Sequence, residues 1–291
     1  MATIRQVRDR IRVAKNIQQI TKAMKMVAAA RLKRAQDRVQ AARPYAETMR
    51  EMMTSLAGSV GGELNHPLLN VRTPQNIGFV IITSDRGLAG SYNSAMLRRA
   101  VELLGGFDKD HIKIYTVGRK GAQFFRRRGF NIVEEFSIPN TGISIGESRD
   151  ITRIIRAAFE NGDVDQLFLM YTRFYTAITQ KPVDIQLLPI QTPDTEAVSE
   201  AGGETEDYIF EPSADQLLGD LLPRYIEGQV FQALLESTAS EHGARMTAMS
   251  SATDNAGKMI NSLTLQLNRA RQAGITREIS EIVGGAEALK G

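Results

Sequence analysis

The chain is 291 residues long, 42% hydrophobic and 24% charged, with a net charge of +3, the balance of a folded, water-soluble protein of one or two domains. It has no cysteine and three histidines, His66, His111 and His242, which excludes disulfides, thiolate metal sites and a cysteine nucleophile. The small net charge hides an asymmetry: residues 1–55 carry thirteen Lys and Arg against four acids, and residues 191–220 carry nine acids and no base, so different segments are built for different neighbours.

The N-terminal stretch lacks the apolar core of a signal peptide, and no run of about 18 apolar residues occurs anywhere. Any membrane association is therefore expected to go through partners. From residue 28 the apolar positions step by four and three: Ala28, Leu32, Ala35, Val39, Ala42, Ala46, Met49, Met53 and Leu56. This is a heptad seam on a helix. Ile4, Val7 and Ile11, then Ile17, Ile20, Met24 and Val27, are expected to extend it upstream, which gives one helix over residues 1–58.

Between residues 74 and 192 the period becomes that of strands. NIGFVIITS (76–84), HIKIYTVG (111–118), NIVEEFS, QLFLMYTRFYT and PVDIQLLPI read as strands. SAMLRRAVELL (94–104), RKGAQFFRRRG and ESRDITRIIRAAFEN read as helices between them. Such alternation predicts an α/β domain of Rossmann-like type, its sheet mostly parallel and closed by a hairpin. Residues 193–211 fall in an acidic, turn-rich stretch and are expected to form a linker or loop.

Leu218, Leu221, Tyr225 and Leu235 place the start of a last helix soon after Pro212, giving a segment over 212–288. Met246, Met249, Thr253, Ala256, Ile260, Leu263, Leu267 and Ala270 again step by three and four. Two such stripes in one chain most simply pair as a long antiparallel coiled coil with a left-handed supercoil. At about 1.5 Å per residue, helices of roughly fifty and seventy residues would span about 80 and 105 Å. Pro223 is expected to kink or interrupt the second helix. Beyond about residue 270 that helix should outrun its partner, leaving Ile275, Ile279, Ile282, Val283 and Leu289 without an internal core; another protein is expected to surround them.

Conventional chemistry is poorly represented. SDRGLAG (84–90) stands between a strand and a helix, where α/β folds bind phosphate. It matches neither GxGxxG nor GxxxxGK[ST], and a structural turn is favoured over a ligand loop. Asp85 and Arg86 read as a local pair or turn. None of the histidines forms an HExxH pair or a triad, and no cofactor is expected. The basic N-terminal helix reads first as a solvated face and next as a surface for an acidic protein. Nucleic acid is disfavoured because residues 1–44 hold no aromatic side chain for stacking.

Five stretches carry a resemblance over almost the whole chain: NIQQITKAMKMVAAARLKRAQDR (16–38), TSDRGLAGSYN (83–93), DYIFEP (207–212), SEHGARMTAMSSATDNAGKMI (240–260) and LNRARQAGITREISEIVGGAEAL (267–289). Together they resemble the gamma subunit family of F-type ATP synthases, including its C-terminal signature at Ile275, Thr276, Glu278, Glu281, Gly285 and Ala286. The resemblance implies a non-catalytic rotary shaft. Its implied partners are three alpha and three beta subunits, an epsilon subunit and a membrane ring of c subunits, with membrane contact only through that ring and no nucleic acid. A position on the cytoplasmic face of a bacterial plasma membrane follows from the same likeness.

Residue by residue, the resemblance places Met24 and Lys25 where the shaft passes the moving acidic segment of the beta subunits. Arg245, Arg271, Gln272 and Thr276 match positions that hydrogen-bond the beta sleeve. Tyr208 and Glu211 match the foot that meets the c ring and epsilon. Ala89 stands where many relatives have cysteine, which excludes thiol switching there.

Overall fold

The computed structural model describes residues 3–59, 66–138, 143–191 and 214–288. Helix α1 (Ile4–Ser59) is followed by β1 (Ile77–Ile82), α2 (Tyr92–Leu104), β2 (Ile112–Val117), α3 (Arg119–Arg127), β3 (Ile132–Phe136), α4 (Ile145–Glu160), β4 (Gln166–Phe174), β5 (Gln180–Leu188) and α5 (Ala214–Ala288). The acidic stretch expected as a linker lies outside the described residues. Two compact units result: Met1–Ala28 with Arg245–Gly291, and Ala29–Ala244.

In the first unit the ends of α1 and α5 run antiparallel. Val7, Ala14, Thr21 and Ala28 are buried on α1, and Met249, Ala256 and Leu263 on α5. Each set steps by seven, the mark of a heptad seam. The α5 stripe is the one expected from sequence. The upstream α1 stripe is not: Ile17, Ile20 and Val27 are 48%, 59% and 55% exposed, and the seam runs instead through Ala14, Gln18 and Thr21. A row starting at Val7 and kept in 3.5-residue phase must pass these residues, so the more apolar neighbouring row faces outward.

The second unit is organised by a five-stranded sheet of order β3-β2-β1-β4-β5. The four strands β3, β2, β1 and β4 are parallel, and β5 returns antiparallel to β4 as the hairpin. Central β1, IGFVII, is buried at all six positions, as an unbroken apolar run covered on both faces must be. Phe79 and Ile81 point to one face, packing with Met96, Leu97 and Ala100 of α2 and Phe125 of α3. Val80 and Ile82 point to the other. After β3 the chain crosses to the far side of β1, and a right-handed crossover puts α4 on that opposite face, with Ile151, Ile155 and Phe159 buried.

Helix α5 passes through this unit with Leu222, Ile226, Val230, Leu234 and Ala239 buried. On α1, Leu32, Ala35, Val39, Met49 and Met53 are buried, as the seam predicts. Pro223 does not interrupt α5, which is helical from Ala214 to Ala288. The cost of proline inside a helix is about 3 kcal/mol. Full burial of Leu222 and Ile226 on either side offsets it, at about 1.5–3 kcal/mol each.

One junction joins helix and sheet. Strand β4 is paired with β1 only as far as Met170, so the backbone of the next residues lacks a neighbour on that side. Helix α5 supplies one. Thr172 N–H donates to Ser237 Oγ at 3.2 Å, Ser240 Oγ donates to Thr172 O at 3.0 Å, and Phe174 N–H donates to Glu236 Oε2 at 3.3 Å.

Candidate functional site

The SDRGLAG loop is closed by its own hydrogen bonds. The loop leads from β1 into α2, and it also holds the neighbouring crossover, accepting from the first three N–H groups of α3. Arg119 N–H donates to Asp85 Oδ1 at 3.0 Å, Lys120 N–H to Ser84 O at 3.1 Å, and Gly121 N–H to Thr83 Oγ1 at 2.9 Å. Asn93 Oδ1 accepts from Ser84 N–H at 3.0 Å, tying the loop to α2. Asp85 pairs with Arg119 at 3.8 Å, across the sheet top, instead of with adjacent Arg86. These bonds give the loop a structural role at the top of the sheet.

The packing around it explains two residues. Gly118 has φ +93°, and a Cβ there would stand 2.3 Å from Thr83 O, so only glycine fits. Thr83 is fully buried because its hydroxyl bridges β1, the end of β2 and α3.

Of the three histidines, one has a visible structural task. His66 caps the short turn Pro67–Leu69, its Nδ1 accepting from Leu68 N–H at 3.2 Å. Burial holds its pKa below the ordinary 6.5; Glu160 opposes that shift and Arg156 adds to it. His111 ends the turn Lys109–His111 immediately before β2, one residue short of opening the strand. His242 lies within α5 and is half-buried.

The surface of the helix pair is the remaining candidate. Its seam changes chemistry midway. Lys25 Nζ donates to Ser250 Oγ at 3.0 Å, the Thr253 and Thr21 hydroxyls are 2.8 Å apart, and a Cβ on Gly257 would lie 3.1 Å from Gln18 Nε2. Three successive layers are thus polar or glycine. Outside the seam, Val13, Ile17, Ile20, Met24 and Val27 form a second row spaced four, three, four and three. Val13 is 57% exposed and Met24 half-buried. Beyond Gly274 every α5 residue with a described side chain is exposed, among them Ile275, Ile279, Ile282 and Val283. Leu289 lies outside the described residues.

The residues singled out from sequence distribute as follows. Met24 and Lys25 share one turn of α1, with Lys25 exposed and tied to Ser250. Arg245 is half-buried on α5, while Arg271, Gln272 and Thr276 are exposed near its end. About 26 residues of helix, roughly 39 Å, separate Arg245 from Arg271, so these form two groups along one helix. Tyr208 and Glu211 lie outside the described residues. Ile17, Ile20, Met24 and Val27 of the outward row are the residues the sequence reading expects in the internal seam, and Val13, which it does not name, extends the row; the signal for it is the second heptad register running beside the first. Among the described residues no helix is long and apolar enough to cross a membrane.

A family model described as ATP synthase matches residues 3–289. The chain is 49% identical to the ATP synthase gamma chain of Heliobacterium modesticaldum over 292 residues, covering 99% of this chain and 100% of that one. It is also 49% identical to the gamma chain of Desulfitobacterium hafniense over 290 residues, covering 100% of both. Among solved structures, a chain of the Tetrahymena thermophila mitochondrial ATP synthase central stalk and c-ring matches at 27% identity and TM-score 0.59, covering 80% of this chain and 99% of that one. A chain of the Euglena gracilis mitochondrial enzyme shares the fold at TM-score 0.72 and 20% identity, over 98% of this chain and 94% of that one. The chain belongs to the family of ATP synthase gamma chains.

Proposed function

We propose that this chain is the central rotary shaft of an F-type ATP synthase, coupling ion flow through the membrane sector to nucleotide turnover on the beta subunits. The observation that carries the reading is the unpartnered end of α5, where Ile275, Ile279, Ile282 and Val283 stand 48–71% exposed on a helix with no core of its own. Covering such side chains is favourable by about 1.5–3 kcal/mol each, and an apolar sleeve around them permits rotation because the attraction is non-directional. The outward row from Val13 to Val27 supports the same enclosure.

The chain does no chemistry. It transmits torque, and its asymmetry makes three otherwise equal sites differ, a coupling free energy between distant sites. The partners are three alpha and three beta subunits, one epsilon subunit and the c ring. Residues 1–58 and 212–288 form the shaft, 74–192 the α/β body and 193–211 a linker. Met24, Lys25, Arg245, Arg271, Gln272 and Thr276 face the beta subunits; Tyr208 and Glu211 belong to the foot on the c ring and epsilon. The assembly sits on the cytoplasmic face of the bacterial plasma membrane, with this chain peripheral.

Reconstitution with alpha and beta subunits tests the proposal. One copy of this chain per three beta subunits is expected, with ATPase activity only in the assembled particle. Failure to associate, or turnover by the chain alone, would reject it.

A further inference from the structure

We infer that the tip of the β4–β5 hairpin is a docking knob, seating in an apolar socket bordered by carboxylates on the alpha and beta subunits. The inference rests on the shaft reading and adds to it a contact made by the α/β body, apart from the helix pair.

The turn is built to stay rigid. Tyr175 and Thr176 N–H both donate to Thr179 O, at 3.3 and 3.1 Å. Thr176 Oγ1 accepts from Ile178 N–H at 3.3 Å and from Thr179 N–H at 3.0 Å, and Gln180 Nε2 donates to Ala177 O at 2.7 Å. Even so, Ile178 stands 80% exposed and Tyr175 52%. Ordering a turn costs conformational entropy, and ordering one around uncovered apolar side chains gains the isolated chain no burial in return.

Helix α5 gives way to the tip. Gly243 is buried, and a Cβ there would stand 3.0 Å from both Ala177 O and Gln180 Nε2. Glycine inside a helix costs about 1 kcal/mol relative to alanine; here it lets the turn lie directly on α5. Gly243 immediately precedes Ala244, the last residue of this unit, and from there α5 continues as the shaft. Side chains held at that point lie next to whatever encloses the shaft, so the alpha and beta subunits are the neighbours within the tip's reach.

Charge describes the socket. Arg173 and Lys181 are direct cross-strand partners just behind the turn, and both are exposed. Like charges set opposite one another destabilise a hairpin. Arg173 turns to the Tyr171 hydroxyl at 3.0 Å. Glu236 of α5 lies within electrostatic range of Arg173, but its two oxygens already accept from Phe174 N–H and Gln232 Nε2. A partner's carboxylate would relieve the repulsion while its apolar surface covers Ile178 and Tyr175.

Because the chain has no cysteine, Ile178→Cys can carry a single benzophenone maleimide, attached before assembly with alpha and beta subunits. Illumination of the assembled particle is expected to link the label to alpha or beta. The same label at Val133→Cys, on β3 at the opposite edge of the sheet, should not link. Lys181→Glu separates docking from folding: opposite charges across the hairpin should leave the isolated chain at least as stable, while its affinity for the alpha and beta subunits falls roughly tenfold. Particles that assemble and hydrolyse ATP without a link from Ile178→Cys, equal linkage from Val133→Cys, or wild-type affinity in Lys181→Glu would each overturn the inference. Failure of the wild-type chain to assemble would instead reject the shaft reading, and the tip contact with it.

Discussion

Thr253 of α5 and Thr21 of α1 place their hydroxyl oxygens 2.8 Å apart, the middle one of three successive polar or glycine layers in the helix pair. Thr21 also donates to Ile17 O and Thr253 lies 2.7 Å from Met249 O, so each hydroxyl retains a backbone partner if the other is removed. Polar layers of this kind fix register at some cost in stability. Valine at either position is expected to loosen the pair locally. In a double-mutant cycle, Thr21→Val with Thr253→Val should lose less than the sum of the singles, with a coupling of about 1 kcal/mol. Hydrogen exchange of the α1 amides between residues 14 and 28 reads it; strictly additive effects would show that the two hydroxyls do not interact.

Removing the chain after Gly274 deletes a stretch whose described side chains, residues 275–286, are all exposed in the isolated protein. Thermal unfolding of the α/β unit should move by no more than about 0.5 kcal/mol. Assembly with alpha and beta subunits, or coupling within the particle, should weaken. Normal assembly with normal coupling would remove the tip from the functional surface.

Reversing charge at Lys25 breaks its contact with Ser250 and presents a carboxylate where the family likeness puts an acidic neighbour. Lys25→Glu is expected to lower the ratio of ions pumped to ATP hydrolysed, measured in proteoliposomes. Lys25→Gln keeps a donor for Ser250 without the charge, so a similar loss there would assign the effect to charge. A wild-type ratio in both variants would leave Lys25 as ordinary surface.

Alanine at Gly118 would need both a left-handed backbone and a Cβ 2.3 Å from Thr83 O. The backbone alone costs about 1–3 kcal/mol, and relieving the clash must move β1 or α3. A loss above about 2 kcal/mol is expected in chemical denaturation of the α/β unit; a loss below about 0.5 kcal/mol would mean that the turn yields easily.

His66 gives the chain a pH dependence of known sign. Its folded pKa lies below the unfolded value of 6.5, so the unfolded state binds the proton more readily. The contribution is complete above pH 6.5 and is lost as pH falls through the folded value. Protonation at Nδ1 would also remove the acceptor for Leu68 N–H. Stability should decline from pH 7 to 5 more steeply in wild type than in His66→Asn, which can still cap the turn. Parallel profiles would acquit His66.

Strand and helix order in the α/β unit was legible because buried parallel strands are written as apolar runs, IGFVII above all, while their helices keep a 3.6-residue period. The α5 seam was legible for the same reason. The upstream α1 seam was not, since Ala14, Gln18 and Thr21 are weaker hydrophobes than Ile17, Ile20 and Val27, and hydropathy ranks the outward row above the inward one. Periodicity identifies a stripe and says nothing about what covers it. The closure of the SDRGLAG loop depends on backbone donors at α3, which no side-chain pattern reveals.

The contacts of Thr172 with Ser237 and Ser240 have a mechanical meaning. A load that reaches a sheet through apolar side chains can be absorbed by small slips among rotamers. Here α5 grips the main chain of β4 directly, on both its N–H and its C=O, and β4 lies between β1 and β5. Shear on that stretch of helix is therefore delivered to the hydrogen-bonded ladder itself, and the α/β body follows α5 as a stiff attachment with little play.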